Sequence, residues 1–256
     1  MKSFKAYFKK EILEAKRTHK YLVLFIGIIF WPAILNPLML KLLPLLMKNY
    51  LPAEAVGMFS DLTRDSAFQS FLSDSFQIGM IVMAFALMGL TANEVRLKRL
   101  VFPYSRGANP AGIVLAKYIH YAITISLFML IASLINYFYI DRLFTGGMLS
   151  VIIVLESTLL YMLYYCTLLS VLLYLSSLFR RGLAAGFTVL VLAFSLSIFN
   201  QFKIIRIYLP NYLIFKAADI GYIFDNSLIP TVTVSFCLII LFVFLSILRM
   251  KKIDIA

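Results

Sequence analysis

The chain has 256 residues, of which 62% are hydrophobic and 14% are charged, and its formal net charge is +12. Soluble domains average about 25% charged and about 45–50% apolar residues, so this composition excludes a soluble domain, a disordered chain and a disulfide scaffold, and indicates an integral membrane protein. The basic excess does not indicate nucleic-acid binding, because membrane proteins collect Lys and Arg on their cytoplasmic side.

The first predicted element is an amphipathic interfacial helix over residues 1–20. Apolar residues recur at helical spacing on one face, namely Phe4, Tyr7, Phe8, Ile12 and Ala15. This pattern is typical of a helix that lies on the inner membrane surface and leads into the first span. A plain positively charged anchor has the same features, so this stretch alone leaves both interpretations open.

Six runs without charged residues follow, each 19–23 residues long. A helix needs about 20 mostly apolar residues to cross about 30 Å of hydrocarbon, and the alternating polarity of a β-barrel does not occur. We therefore predict an all-α integral membrane fold with six transmembrane helices in a single transmembrane domain, 1–256. The predicted spans are 21–43, 75–93, 118–140, 150–179, 182–202 and 226–248.

Two predicted outer segments, 46–74 and 204–224, are longer than simple turns. The second is apolar and aromatic, and Pro210-Asn211 divides it, so we predict two short helices in the outer leaflet before the sixth span.

The distribution of charged residues predicts the orientation of the chain. Placing both termini on one side gives that side 17 Lys and Arg against four acids, and the other side seven Lys and Arg against eight acids. The basic side faces the cytoplasm, which predicts that both termini are inside.

Motifs that carry catalysis do not occur in the sequence. HExxH, CxxC, GxSxG and the phosphate-binding pattern GxxxxGK(S/T) are all missing, so a chain of this kind does not bind ATP by a phosphate loop. His120 has no acid or cysteine at ligand spacing and is predicted to be an interfacial histidine. Cys166 and Cys237 fall in apolar runs and are predicted to be packing thiols.

Lys41 and Glu156 are the charged residues that fall within the predicted spans. Each is separated from the cytoplasmic end by a run long enough to reach the outer surface, so interfacial positions are predicted. The alternative is a substrate path whose outer mouth is lined by Glu156, Tyr161 and Tyr165. Packing is the favoured role for these tyrosines, which fall at helical spacing with Tyr164.

The loop between the second and third spans carries the most specific pattern; residues 94–117 read EVRLKRLVFPYSRGANPAGIVLAK. An apolar stripe lies among its basic residues, made of Leu97, Leu100 and Val101. Pro103 is predicted to stop this helix, and Asn109-Pro110 to start the next one. The resulting surface suits docking into a groove on another protein. The alternative is that Leu100, Val101 and Phe102 pack back on the chain while basic residues contact lipid headgroups.

These features resemble the type-2 permeases of ABC transporters. In that family the loop runs from a Glu through an apolar stretch to Pro-x-Ser-Arg, and a Lys opens the third span. The matching residues are Glu94, Pro103, Ser105, Arg106 and Lys117. KKEILEAKR before the first span, Asn36-Pro37 near its end, SLFRR after the fourth and LRMKKIDI after the sixth are also similar. Lys98-Arg99 replaces the usual Gly-Thr, so a differently placed bend is expected.

The resemblance implies a permease subunit of an exporter in the bacterial cytoplasmic membrane, and not an enzyme. Two copies, identical or related, are expected to pair among the membrane lipids, and each is expected to bind a separate ABC ATPase subunit that holds the ATP, with no cofactor in this chain. The implied ATPase-coupling residues are Glu94, Leu97, Leu100, Phe102, Pro103, Tyr104, Ser105, Arg106 and Lys117. An antimicrobial peptide or drug is the expected substrate. The alternatives are a non-transporting sensor or assembly subunit, and an integral-membrane enzyme.

Overall fold

The computed structural model describes residues 2–47, 62–179, 181–220 and 225–252, and all regular structure in these residues is helical. An N-terminal helix, Lys2–Arg17, precedes six helices that are long and apolar enough to cross a membrane. These first to sixth spans are Lys20–Leu43, Arg64–Arg96, Pro110–Leu143, Val151–Leu178, Gly182–Gln201 and Leu228–Lys251. The prediction of an all-helical chain with six spans is confirmed.

Several spans are assembled from shorter helical pieces. The first joins Lys20–Phe25, the π-helix Ile26–Leu35 and Asn36–Met47. The second joins Arg64–Asp74, the π-helix Ser75–Gly79, Met80–Leu87 and Ala92–Arg96. The fifth is Gly182–Ile198 followed by one 3₁₀ turn, Phe199–Gln201.

The sixth span shows why this bundle belongs in a membrane. Phe236, Ile240 and Phe244 lie one turn apart on one face, and each is more than half exposed. The residues buried against the other spans include small polar ones, namely Thr231, Ser235 and Ser246. An apolar face turned outward is stable only in hydrocarbon, and small polar residues allow spans to pack closely. The chain is therefore a multi-pass membrane protein.

The second span is longer than predicted, because it begins at Arg64 rather than at 75. Thr63 caps it, since the Thr63 side chain accepts from the Ser66 backbone N–H at 3.3 Å. The last eleven residues of the predicted outer segment 46–74 are therefore helical and belong to the second span, and 48–61 lie outside the described residues. Asp74 bounds the charge-free run on which the predicted start at 75 rests, but in the folded chain Asp74 accepts a 2.8 Å hydrogen bond from Asn36 Nδ2.

Two short helices do precede the sixth span, as predicted. They cover Lys203–Arg206 and Asn211–Ala217, and Pro210 lies at the start of the second. Asn211 Nδ2 donates to Ala193 O at 3.0 Å and to Ser197 Oγ at 2.8 Å, which ties the second helix to the fifth span. Their position in the outer leaflet stays a prediction.

The π-helical segments of the first and second spans contact each other. A π-helix disturbs the regular ladder of backbone hydrogen bonds and leaves carbonyls that need other donors. Two buried tyrosines of the fourth span supply these donors: Tyr161 Oη donates to Leu72 O at 2.7 Å, and Tyr165 Oη to Ser75 O at 2.5 Å. The fourth span is therefore fastened to the irregular part of the second.

Gly79→Ala is expected to destabilise this junction by about 1–3 kcal/mol, the usual range for overpacking a tight site. A Cβ at this position would collide with the Tyr165 hydroxyl. The melting temperature of the purified protein in a mild detergent measures the effect. Adding Tyr165→Phe removes the colliding oxygen, so the double variant should lose less stability than the two single losses added together. An unchanged melting temperature for Gly79→Ala would contradict this packing.

Candidate functional site

A buried cluster of charged side chains joins the N-terminal helix, the second span and the third span. Lys117 is 1% exposed, and its Nζ donates to Glu11 Oε1 at 2.6 Å and to Leu90 O at 2.9 Å. The same Nζ lies 3.1 Å from Glu94 Oε1, and Lys10 Nζ pairs with that Glu94 oxygen from the other side. Three elements distant in sequence thus meet on two buried carboxylates.

The outer part of this cluster links it to the first span. Lys10 Nζ lies 3.1 Å from Glu14 Oε2, and Lys20 Nζ lies 3.1 Å from Glu14 Oε1. The cluster as a whole contains three Lys and three Glu, so its formal charge is balanced. A balanced, hydrogen-bonded arrangement is what makes burial of these groups tolerable, because an unpaired buried charge is very costly.

The pKa values in the N-terminal helix follow from these contacts. Burial by itself raises the pKa of Glu11, but Lys117 and Lys10 outweigh burial and hold the pKa of Glu11 below its usual value. Burial also opposes ionisation of Glu14, yet Lys20 and Lys10 lower the pKa of Glu14 to about 2. The Glu11 and Glu14 carboxylates therefore stay ionised at neutral pH, and their contribution to stability is lost only when acid protonates them.

The sequence did not identify Glu11 as a site residue. The predicted apolar face included Ile12, but Ile12 is 39% exposed, whereas Glu11 is fully buried with Tyr7 and Ala15. Glu11 lies four residues from both Tyr7 and Ala15, so it occupies the middle of the buried stripe. A carboxylate at that position of an amphipathic helix is the signal that predicts a buried partner.

The N-terminal helix packs on the third span. Phe8 meets the His120 ring edge-on with the ring centroids 5.4 Å apart, and Tyr21 Oη lies 3.1 Å from His120 Nε2. A Cβ on Gly112 would lie 3.1 Å from the Phe4 backbone N. This close approach explains why a residue without a side chain lies in the first turn of the third span.

Acidic groups alone do not make a metal site here. Ligand oxygens of Glu11, Glu14 and Glu94 lie within 4.8 Å of one another. Lys10 Nζ contacts all three residues and Lys117 Nζ contacts two of them. Ammonium groups thus occupy the place that a cation would take, and the arrangement is that of an ion-pair network.

The helix of the second span breaks at Met88–Thr91, shortly before the loop. Ser176 of the fourth span stabilises the break: its Oγ accepts from the backbone N–H groups of Thr91 and Ala92, both at 3.0 Å, and donates to Met88 O at 3.0 Å. The helical piece Ala92–Arg96 resumes after this cap and places Glu94 inside the cluster. Ser176 is a second residue that the sequence did not single out.

The bend of the loop lies at Lys98 and not at Pro103. Lys98 has a left-handed backbone, with φ at +51°. The expected stop at Pro103 is wrong, because Pro103 lies inside the helix Val101–Ser105. Proline fits there because the first turn of a helix has no acceptors for its N–H groups. The predicted helix start at Asn109-Pro110 is confirmed, since Asn109 Oδ1 accepts from Ala111 N at 3.0 Å. This helix is the third span itself, which therefore begins at Pro110 and not at 118 as predicted.

The loop separates its apolar residues into a buried and an exposed set. Leu100 is 4% exposed and packs back on the chain, whereas Leu97 is 50% exposed and Phe102 is 66% exposed. The Arg106 guanidinium stacks on Phe102, with its central carbon 4.6 Å from the ring centroid. Ser105 Oγ donates to Phe102 O at 2.9 Å and so fixes the end of this short helix. We call Leu97, Phe102 and Arg106 the loop surface.

Contacts beneath the loop surface hold the loop to two other segments. Ser3 Oγ accepts from the Asn109 backbone N–H at 3.2 Å, and Tyr104 Oη donates to Met250 O at 3.4 Å. Burial raises the pKa of Tyr104 to about 12, so its hydroxyl stays a donor at neutral pH. The N-terminal helix, the loop and the end of the sixth span therefore lie at one end of the bundle.

The weaker candidates for a substrate path are not brought together with this loop. Tyr161 and Tyr165 are buried and donate to carbonyls of the second span, as described above. Tyr161 also lines a cavity next to the short helix Asn211–Ala217. Glu156 is half-buried on the fourth span and does not line that cavity.

Fold and site together define a six-span helical membrane protein with a loop anchored by buried ion pairs. Residues 45–256 match the model of a family described as "Protein of unknown function (DUF2705)", and the chain belongs to this family. No curated protein and no solved structure matches it.

Proposed function

We propose that this chain is the membrane-spanning permease subunit of an ABC exporter, which pairs with a second permease and couples to a separate ATPase subunit. The observation that carries the proposal is the loop surface. An aromatic side chain that is two-thirds exposed, with an arginine stacked on it, stands on a rigidly held loop. Exposed aromatic and Arg residues are the typical anchors of protein–protein contacts.

The buried ion-pair cluster supports a role in transmitting motion. Glu94 lies on the helical piece that leads into the loop, and it shares Lys117 with Glu11 of the N-terminal helix. A push on the loop would therefore move the second span, the third span and the N-terminal helix together, because a buried ion pair resists separation of its members. This arrangement suits a chain that receives mechanical work from a partner.

ATP-dependent activity tests the proposal. The purified chain alone should neither bind nor hydrolyse ATP, because its sequence lacks a phosphate-binding loop. Co-expressed with each ABC ATPase of its source organism in turn, it should co-purify with one of them and support ATP-driven movement of a labelled antimicrobial peptide across proteoliposomes. ATP hydrolysis that is coupled to the chain without any such transport would favour a sensor subunit, and turnover of ATP by the isolated chain would contradict the proposal.

Orientation in the bacterial plasma membrane gives a separate prediction. Asn109 and Asn226 are both exposed, and the split of basic residues puts Asn109 inside and Asn226 outside. In a chain whose own two cysteines have been replaced, a single cysteine at Asn226 should react with a membrane-impermeant maleimide in intact cells. A cysteine at Asn109 should react only after the membrane is opened. Labelling of the Asn109 position from outside would overturn the proposed topology.

A further inference from the structure

A cavity of about 500 Å³ lies at the end of the bundle opposite the loop surface. Its walls come from the second span, the fourth span, the end of the fifth span and the short helix Asn211–Ala217 with the turn after it. This volume falls in the range of small-molecule sites, about 300–1,000 Å³. Nothing in the coupling role described above uses this cavity.

The wall of this cavity contains several hydrogen-bond acceptors. Asn211 is 1% exposed, and its Nδ2 is fully engaged by Ala193 O and Ser197 Oγ, which fixes the orientation of the amide. Its Oδ1 has no hydrogen-bond partner within the described part of the chain, and neither does Asn200 Oδ1. Buried amide oxygens are nearly always paired, so two orphans beside one cavity point to donors that a ligand would bring.

The charge and the aromatic groups of the cavity narrow the class of ligand. Asp219 is the one charged residue among the described residues that line it. Lys216 Nζ lies 3.2 Å from Asp219 Oδ2, but a carboxylate has about four acceptor positions, and the Asp219 side chain is 43% exposed. Phe76, Tyr161 and Phe215 add aromatic rings to the same wall. A carboxylate with aromatic rings is the chemistry that recognises an ammonium group.

We infer that this cavity binds the ammonium head of an amphiphile, with N–H donors directed to the Asn and Asp oxygens and the apolar part against Leu72, Ile214 and the aromatic rings. The ammonium group comes either from an amine-bearing lipid or from a free cationic amphiphile. This inference goes beyond the exporter function and does not depend on it, because binding requires neither an ATPase nor a second permease.

Photolabelling of the full-length protein in nanodiscs tests the inference. The probe is a dodecylamine that carries a diazirine on its chain, and the matched control probe is the corresponding dodecanoate. The amine probe should label peptides containing Asn211–Ala217 about tenfold more than the carboxylate probe does, in keeping with a charge-assisted contact. Equal labelling by the two head groups would overturn the inference.

Two variants make the assignment residue-specific. Asp219→Asn preserves shape and removes the charge, so it should lower amine labelling about three- to tenfold and leave carboxylate labelling unchanged or higher. Phe215→Leu, at a position that is 49% exposed, should lower amine labelling about two- to fivefold through loss of a ring face. Asp225→Asn is the matched control, because Asp225 does not line the cavity. Unchanged amine labelling in both Asp219→Asn and Phe215→Leu would overturn the inference.

Lipid composition then distinguishes the two sources of the ammonium group. If phosphatidylethanolamine in the nanodisc suppresses amine labelling relative to phosphatidylglycerol alone, the ligand is the amine lipid. If phosphatidylethanolamine has no effect while unlabelled dodecylamine competes, the ligand is a free cationic amphiphile. Either result supports an ammonium site, and failure of unlabelled dodecylamine to compete would contradict one.

Discussion

Arg106→Glu is expected to abolish co-purification with the ATPase subunit while leaving the amount of protein in the membrane unchanged. If the stacked Arg106–Phe102 pair inserts into a partner groove, reversing the charge costs on the order of a few kcal/mol, which weakens binding about 100-fold. Phe102→Asp should have the same effect, because its ring is exposed and anchors no other described element. The amount of the variant in the membrane, its co-purification with the ATPase and ATP-driven transport are measured on the same preparations.

A matched control exists at the other end of the third span. Arg142 is also exposed and also stacks on a phenylalanine, with its central carbon 5.4 Å from the Phe138 ring centroid. Arg142→Glu should keep ATPase binding, because this pair lies at the opposite end of a 34-residue helix. If Arg106→Glu and Phe102→Asp both bind and transport like wild type, the loop contacts lipid headgroups instead, where a surface charge contributes about 1 kcal/mol.

Lys117→Met is expected to be the most destabilising single substitution at the loop end of the bundle, at about 3–5 kcal/mol. It removes the ammonium shared by Glu11 and Glu94, and each of these carboxylates already has one buried oxygen without a hydrogen-bond partner. The N-terminal helix should therefore detach from the third span. The loss of stability is measured as a lower melting temperature in detergent, and the detachment of the N-terminal helix as faster proteolysis near Arg17.

A double variant distinguishes unpaired carboxylates from lost side-chain volume as the cause of the lower stability of Lys117→Met. Glu11→Gln added to Lys117→Met removes one of the unpaired charges, so the double variant should be more stable than Lys117→Met alone. Lys41→Met serves as the control: Lys41 is exposed at the end of the first span, and its replacement should change stability by less than about 0.5 kcal/mol. A double variant that is less stable than Lys117→Met would contradict the ion-pair explanation.

The loop shows how far sequence reasoning reached into the site. The sequence identified Glu94, Lys117 and the segment between them, and a helix starts at Asn109-Pro110 as predicted, although the third span was expected only from 118. It could not find which residues pair, because Glu11 and Lys117 are 106 positions apart and only folding brings them to 2.6 Å. The sequence also placed the bend at Pro103 instead of Lys98. The reason is that Lys98 takes a left-handed backbone conformation, which residues other than Gly and Asn rarely adopt.

The sequence by itself determined the number of spans and the helical class, because crossing about 30 Å of hydrocarbon requires long apolar runs that are visible residue by residue. It also determined the two short helices before the sixth span through Pro210. Only the tertiary structure decided that the second span begins at Arg64, since hydrogen bonds from other segments make the acidic side chains of that helix acceptable. The same holds for burial in the loop: Leu100 is covered and Phe102 is not, and that difference depends on which neighbours the fold places against each side chain.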